Sequence, residues 1–370
     1  MDVLVTGGAG FIGSFIVDEL LRKGHSVTIF DNLDPQVHAG GRLPEYINKH
    51  AQFVHGDVRD YDALKDVVGK ANAIFHKAAA VGVGQSQYEI KKYVDVNVSG
   101  TANLLDIIVN HPHKIEKLVV AASMSSYGEG LYHCATCGPM RPELRPAEQM
   151  AEGRWEQNCP NCSGLMSYAP TPETAYQHPS SIYAQTKKDQ EDMVLNIGRT
   201  YQIPSVALRY FNAYGPRQSL SNPYTGVMAI FLSRLKNDRP PVIYEDGLQT
   251  RDFVSVHDIV QANMLALEKP GADYMSFNVA SGIPIAISEI ADRTARLLHK
   301  NIKPDITMKF RQGDIRHCIA DISKIRNELG FEPRVSFEDG LTEVIDWSLK
   351  AEAQDLFENA TAELRSKGLM

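Results

Sequence analysis

The chain has 370 residues, 43% of them hydrophobic and 22% charged, with a formal net charge of -7. That composition belongs to a protein with an ordinary buried core and excludes a disordered chain. The acidic balance offers no basic field to a nucleic acid or an anionic membrane surface, so a small-molecule partner is expected.

At this length two linked lobes are expected, since domains cluster near ~100–150 residues. Met1 and Asp2 run straight into Val3, Leu4 and Val5, without a basic start or a small-residue cleavage site. No secretory leader is expected, and the protein reads as soluble and cytosolic. Charged residues interrupt every apolar stretch before the ~18 residues that suggest a membrane helix.

The first 130 residues alternate short β-branched runs with amphipathic stretches. Strands are expected at 3–6, 26–30, 53–55, 73–76 and 118–122, and helices at 11–23 and 91–110. This alternation predicts an α/β fold, a doubly wound parallel sheet of the Rossmann type with helices on both faces. A further buried strand is expected at 205–209. Residues 131–176 interrupt the pattern with six prolines from Pro139 to Pro172 and four cysteines, and read as an insertion. Residues 1–212 are thus assigned to a dinucleotide-binding domain carrying that insertion. Residues 213–370 form a smaller α/β lobe with helices at 227–235 and 287–298, and 251–265 returns to the first domain. The last stretch, 351–370, reads as a charged helix or tail.

Thr6-Gly7-Gly8-Ala9-Gly10-Phe11-Ile12-Gly13 lies between the first strand and the first helix. Glycines there let the backbone turn sharply and approach a pyrophosphate, whose charge meets the amides at the helix start. Asp31 ends the second strand, 18 residues after Gly13. A carboxylate at that point accepts from an adenosine ribose and repels a 2'-phosphate, which favours NAD over NADP. Asp57 and Val58, after the third strand, are expected beside the adenine.

In Tyr183-Ala184-Gln185-Thr186-Lys187 the phenol and the amine share a helix face, so the ammonium is expected to lower the phenol pKa and make Tyr183 a usable base. Together with His76-Lys77-Ala78-Ala79, Asn97-Val98-Ser99-Gly100-Thr101, Ser123-Met124-Ser125-Ser126-Tyr127-Gly128 and the run from Arg209 through Asn212 to Pro216, these motifs resemble the extended short-chain dehydrogenase/reductases that modify nucleotide sugars. The resemblance covers nearly the whole chain outside the insertion. It implies Ser123 as the substrate-binding, proton-relaying hydroxyl, Tyr183 as acid/base, and Lys187 as the group holding the cofactor ribose. It also implies an NAD site drawn from Gly7, Gly10, Phe11, Ile12, Gly13, Asp31, Asn32, Asp57, Val58, Ala78, Ala79, Ala80, Asn97, Tyr183, Lys187 and Tyr210. Nucleotide-sugar dehydratases place an Asp-Glu pair after the serine, and the related decarboxylases a Glu. This chain has Met124 and Ser125 there, which leaves oxidation and reduction at C4, and hence epimerisation.

The resemblance further implies that Arg251, Arg311 and Asn212 hold the substrate diphosphate, Asp314 the nucleotide ribose and Tyr244 the base, with Ser123 and Ser125 near the sugar. Guanidinium groups suit phosphate as fork-like, permanently charged donors. A homodimer through helices near 91–110 and 183–200 is implied in the same way. A 4-ketosugar reductase would use the same triad, and an NAD-sensing regulator would keep the fold without catalysis.

Cys134-Ala135-Thr136-Cys137 and Cys159-Pro160-Asn161-Cys162 are two C-x-x-C pairs separated by 21 residues. Four thiolates at this spacing predict a structural zinc ribbon. Residues 131–168 hold three arginines, four glutamates and no lysine, which argues against a ribbon that binds nucleic acid. Cys318 is left over and reads as a small core residue. With this insertion, Asn222-Pro223-Tyr224-Thr225-Gly226 and Gly313-Asp314-Ile315-Arg316-His317-Cys318, the chain resembles a narrower group, the dTDP-L-rhamnose 4-epimerases.

Overall fold

The computed structural model describes residues 1–224, 226–311 and 313–369. Thr225 of the 222–226 motif, Gln312 of the 311–314 motif and Met370 of the expected tail lie outside the described residues. Seven parallel strands form the central sheet, in the order Met275–Val279, Ser205–Tyr210, Lys117–Ser123, Ala73–His76, Asp2–Thr6, Ser26–Asp31 and Gln52–His55. The three strands at Ala73–His76, Lys117–Ser123 and Ser205–Tyr210 are buried at every residue. That is the burial expected of strands covered by helices on both faces, and it explains why they read as continuous apolar runs. One core cluster, around Val5, Ile16, Phe75 and Leu208, lies on one face of the sheet, and a second, around Leu4, Ile74, Leu104 and Val194, on the other.

Chain order reverses between Asp2–Thr6 and Ala73–His76, where the first two crossovers go one way and the next returns. A crevice opens outside the carboxyl ends of the strands at such a reversal. The strand at Met275–Val279 pairs with Ser205–Tyr210, so the chain rejoins the main sheet beyond the 251–265 stretch. The helix expected at 91–110 runs as Ile90–Tyr93, a π turn at Val94–Ser99, and Gly100–Asn110.

The insertion forms a three-stranded antiparallel sheet with Leu131–Cys134 between Gly138–Met140 and Met166–Ala169, and the short helix Ala147–Ala151 lies in the chain between the latter two strands. In the second half, helices Val227–Lys236, Ile287–Leu297 and Phe337–Ser348 bury Phe231, Ile290 and Leu341 around Phe253 and Ile285. Thr250–Ser255 joins Asn212–Tyr214, Pro284–Ala286 and His317–Cys318. The final helix, Phe357–Ser366, is tied to Arg234 through Glu358 at 3.1 Å and to Tyr224 through Glu363 at 2.8 Å, while Leu364 packs on Gly84.

Candidate active site

Backbone crowding makes Gly7 and Gly13 of the first turn obligatory. Gly7 has φ +67, and a Cβ there would lie 2.6 Å from the Ala78 nitrogen; one on Gly13 would lie 2.2 Å from the Gly7 oxygen. The strand end, the 77–80 loop and the helix Phe11–Arg22 therefore meet at backbone distance. Gly10 caps that helix without a side-chain hydrogen bond, and a Cβ on it would meet only the Gly7 oxygen, at 3.4 Å. The first amides of the helix keep an open approach suited to a pyrophosphate. Phe11 and Ile12 are half-buried at this turn.

Asp31 is buried at the end of its strand, with one oxygen accepting from the Ala9 amide at 3.0 Å and the other from Leu33 at 2.9 Å. Each oxygen retains acceptor capacity for a ribose hydroxyl. Asn32 donates to Asp57 at 2.8 Å. Burial pushes the Asp57 carboxyl up, but hydrogen bonds from Arg59 and Asn32 outweigh it and hold it at about 2. Val58 packs on Gly100, where a Cβ would come within 2.5 Å of it. Asn97 is fully buried in the π turn: its Oδ1 accepts from the Ala80 amide at 2.7 Å, and its Nδ2 donates to the Ala80 carbonyl at 3.1 Å and to Thr186 Oγ1 at 3.0 Å. One side chain thereby joins the 78–80 loop to the helix that carries Tyr183. π turns are characteristic of such positions, where one extra residue re-aims a side chain.

Tyr183 opens the helix Ile182–Tyr201, which Ser181 caps by accepting from Ala184 at 3.1 Å. Its amide donates to Ser86 Oγ at 3.0 Å, and Tyr93 stands edge-on to its ring at 6.3 Å. Burial raises the phenol above its ordinary range, while a hydrogen bond with Ser123 acts the other way. Ser123 Oγ also accepts from the Ser125 amide at 3.2 Å and lies 2.8 Å from the Ser125 hydroxyl. One turn on, Lys187 is buried, its amine pushed down to about 7 by desolvation, and donates to Gln190 at 2.8 Å. The expected lowering of Tyr183 by Lys187 is therefore not what this arrangement does. Gln190, which itself donates to Thr101 at 2.8 Å, engages the amine, and burial governs the phenol.

Sequence reasoning assigned no role to Lys77, although a lysine directly after a wholly buried strand is a chemical oddity. Its Nζ donates to the Tyr210 hydroxyl at 3.0 Å and lies 5.4 Å above that ring. Burial, then the nearby Lys187, push this amine well below its ordinary range. Among the described residues neither lysine meets a carboxylate. Two desolvated amines beside an open helix start suit a ligand rich in hydroxyl and phosphate oxygens, as NAD is.

A second group gathers in the other lobe. Arg311 pairs with Asp314 at 2.8 Å and lies 4.7 Å over the Tyr244 ring. Arg251 is turned to backbone, donating to the carbonyls of Thr250, Ile315 and Arg316 at 2.8, 2.7 and 3.0 Å. Asn212 keeps a buried Oδ1 with no hydrogen-bond partner among the described residues, an unmet acceptor near the end of the Ser205–Tyr210 strand. In the insertion, the sulfurs of Cys134, Cys137, Cys159 and Cys162 all lie within 4.8 Å of one another. His133 is exposed and outside that group, and Cys318 is buried in the core.

Residues 3–145 match the NAD dependent epimerase/dehydratase family, and residues 162–344 match the GDP-mannose 4,6 dehydratase family. The chain is similar to a dTDP-L-rhamnose 4-epimerase of Burkholderia thailandensis, 35% identical over 93% of this chain and 94% of that protein. The fold is similar to the crystal structure of UDP-glucose 4-epimerase with UDP-glucose from Thermotoga maritima, with a TM-score of 0.77 and 30% identity over 95% of this chain and 99% of that one. It is likewise similar to a Thermus thermophilus UDP-glucose 4-epimerase in complex with NAD, with a TM-score of 0.75 and 30% identity over 95% of this chain and 100% of that one. The fold and cleft define a Rossmann-type dinucleotide-binding protein. The chain belongs to the NAD-dependent epimerase/dehydratase family.

Proposed function

We propose that this protein is an NAD-dependent epimerase that inverts C4 of a nucleotide-linked hexose through a 4-keto sugar, with a dTDP- or UDP-linked substrate. The observation that carries this reading is the Tyr183 phenol set within the influence of the Ser123 hydroxyl, with buried Lys187 one turn on along the same helix and the Ser125 hydroxyl rather than a carboxylate 2.8 Å from Ser123 Oγ. NAD, when bound, supplies reversible two-electron chemistry at C4. Tyr183 takes the C4 hydroxyl proton and returns it, Ser123 holds that hydroxyl by hydrogen bonding, and Lys187 binds the cofactor side of the cleft. Ser125 fixes the Ser123 hydroxyl and, unlike a carboxylate, is no base toward the C5 proton, so no elimination is driven. Arg311 and the amide nitrogen of Asn212 hold the diphosphate, Asp314 the nucleotide ribose and Tyr244 the base; Arg251 joins them only on releasing the carbonyls of Thr250, Ile315 and Arg316.

Similarity to proteins named for dTDP-L-rhamnose and for UDP-glucose supports the nucleotide class. The test is incubation of the purified enzyme with a panel of UDP-, dTDP- and GDP-sugars, with the C4 configuration read by NMR. Inversion of one dTDP- or UDP-hexose with cofactor retained is expected. Net consumption of added reduced nicotinamide would instead identify a 4-ketosugar reductase.

Asp31 gives a separate expectation. Cofactor extracted by mild denaturation should be NAD, because a 2'-phosphate would share one space with a like charge. Recovery of mainly NADP would overturn the role given to Asp31.

The proposal includes a structural zinc ion on the four cysteines, whose sulfur spacing and two C-x-x-C turns suit a tetrahedral, closed site. Free thiols of this kind suit a cytoplasmic setting. It also includes a homodimer through the 91–110 and 183–200 helices, which pack on each other and leave Val94 partly exposed.

A further inference from the structure

The insertion is tied to the second lobe by a buried ionic network that the proposed chemistry does not use. Arg145, on the stretch between the cysteine pairs, has a fully buried guanidinium that forks onto Glu245 at 2.8 and 2.9 Å and donates to the Asp314 carbonyl at 3.1 Å. Arg316, fully buried, reaches Glu245 at 2.9 Å and Asp246 at 2.7 Å from the second lobe and the insertion's Glu156 at 2.9 Å through its Nε. Glu156 also meets His317 at 3.1 Å, and Glu129, just past the Ser123 motif, accepts from the Arg316 amide at 2.8 Å. Burial pushes the Glu156 carboxyl up, but hydrogen bonds from His317 and Arg316 outweigh it and hold it at about 2.

This network clamps the two segments that bear Tyr244 and Arg311–Asp314. Glu245 is held at φ +55, a left-handed backbone that a non-glycine residue adopts only where its surroundings enforce it. Arg145 grips its carboxylate from the insertion and Arg316 from the second lobe, so the strained backbone is fixed from both sides. Next to this clamp lies a cavity of about 840 Å³ with Met150, Ala151 and Trp155 of the insertion on one wall, Tyr244 and Phe310 on another and Arg365 of the final helix at its edge.

We infer that the cysteine insertion is a working part of the nucleotide end of the substrate cleft: Arg145, Glu156 and Arg316 are positioning residues for the Tyr244 and Arg311–Asp314 segments, and the cavity receives the nucleoside of a nucleoside diphosphate. This rests on the proposed nucleotide-sugar reading, but it is tested without any sugar. Titration calorimetry on the NAD-loaded protein measures binding of dTDP and UDP to the native chain, to Glu156→Gln and to Ala151→Trp. Glu156→Gln keeps shape and removes charge; Ala151→Trp fills the cavity from an exposed position and leaves the network intact.

Losing a hydrogen bond to a charged group weakens binding by about tenfold or more, so each variant should bind the tighter diphosphate about that much more weakly while retaining its NAD and melting within a few degrees of the native chain. If either variant binds both diphosphates as the native chain does, or if the native chain binds neither, the inference falls. A loss of binding matched by loss of NAD would reduce the network to general scaffolding and overturn it equally. Failure of epimerisation with every sugar would count against the functional reading alone, since the diphosphate affinities are measured independently.

Discussion

Tyr183→Phe should abolish turnover and leave substrate binding nearly intact. The substitution keeps the ring that packs edge-on against Tyr93 and removes only the hydroxyl that meets Ser123. General acid–base groups contribute about 10²–10⁴-fold, so kcat should fall by that much or more with KM changed far less. Lys187→Ala should also slow turnover, through a weakened hold on the cofactor rather than through the phenol, whose shift is set by burial and by Ser123. Near-native turnover by Tyr183→Phe on the correct sugar would place the base elsewhere.

Cys134→Ser should remove metal and stability together. Elemental analysis of the native chain should give about one zinc per chain, following the four-ligand logic. Structural zinc contributes folding free energy on the order of 10 kcal/mol in small domains, and in a chain of this size even part of that lowers the apparent melting temperature by about 5–10 °C. NAD should remain bound, because the insertion strands form a sheet of their own, separate from the seven-stranded one. A variant with undiminished zinc would show that Cys134 is not a ligand.

What was legible in the sequence is what a short window encodes. The six strands expected by apolar patterning all form, each within a residue or so of the expected ends, because buried parallel strands need continuous apolar runs. The glycine turn was legible for the same reason: its constraint lies within Gly7 to Gly13. The π turn at Val94–Ser99 was hidden, since its cause is the hydrogen bonding of Asn97 to Ala80 and Thr186, one of them far along the chain. The partners of Arg145 and Arg316 lie 100, 71 and 160 residues away, beyond any local pattern. Lys77 was visible as a motif member, but only the fold sets it against Tyr210 and near Lys187.

The buried guanidiniums also bear on how such a chain can change over generations. An insertion between the Ser123 strand and the Tyr183 helix could in principle be gained or lost as a cassette, because neither flanking element depends on it for its own backbone hydrogen bonds. Here excision would take Arg145 away from Glu245 and Glu156 away from Arg316 in one event. Glu245 and Arg316 would still hold each other, and Arg316 would keep Asp246, so no buried charge is stripped bare. What disappears is the two-pronged grip of Arg145 on Glu245, and with it half of what fixes the left-handed backbone beside Tyr244; losing the cassette would be felt as a loosened segment rather than as an unfolded protein.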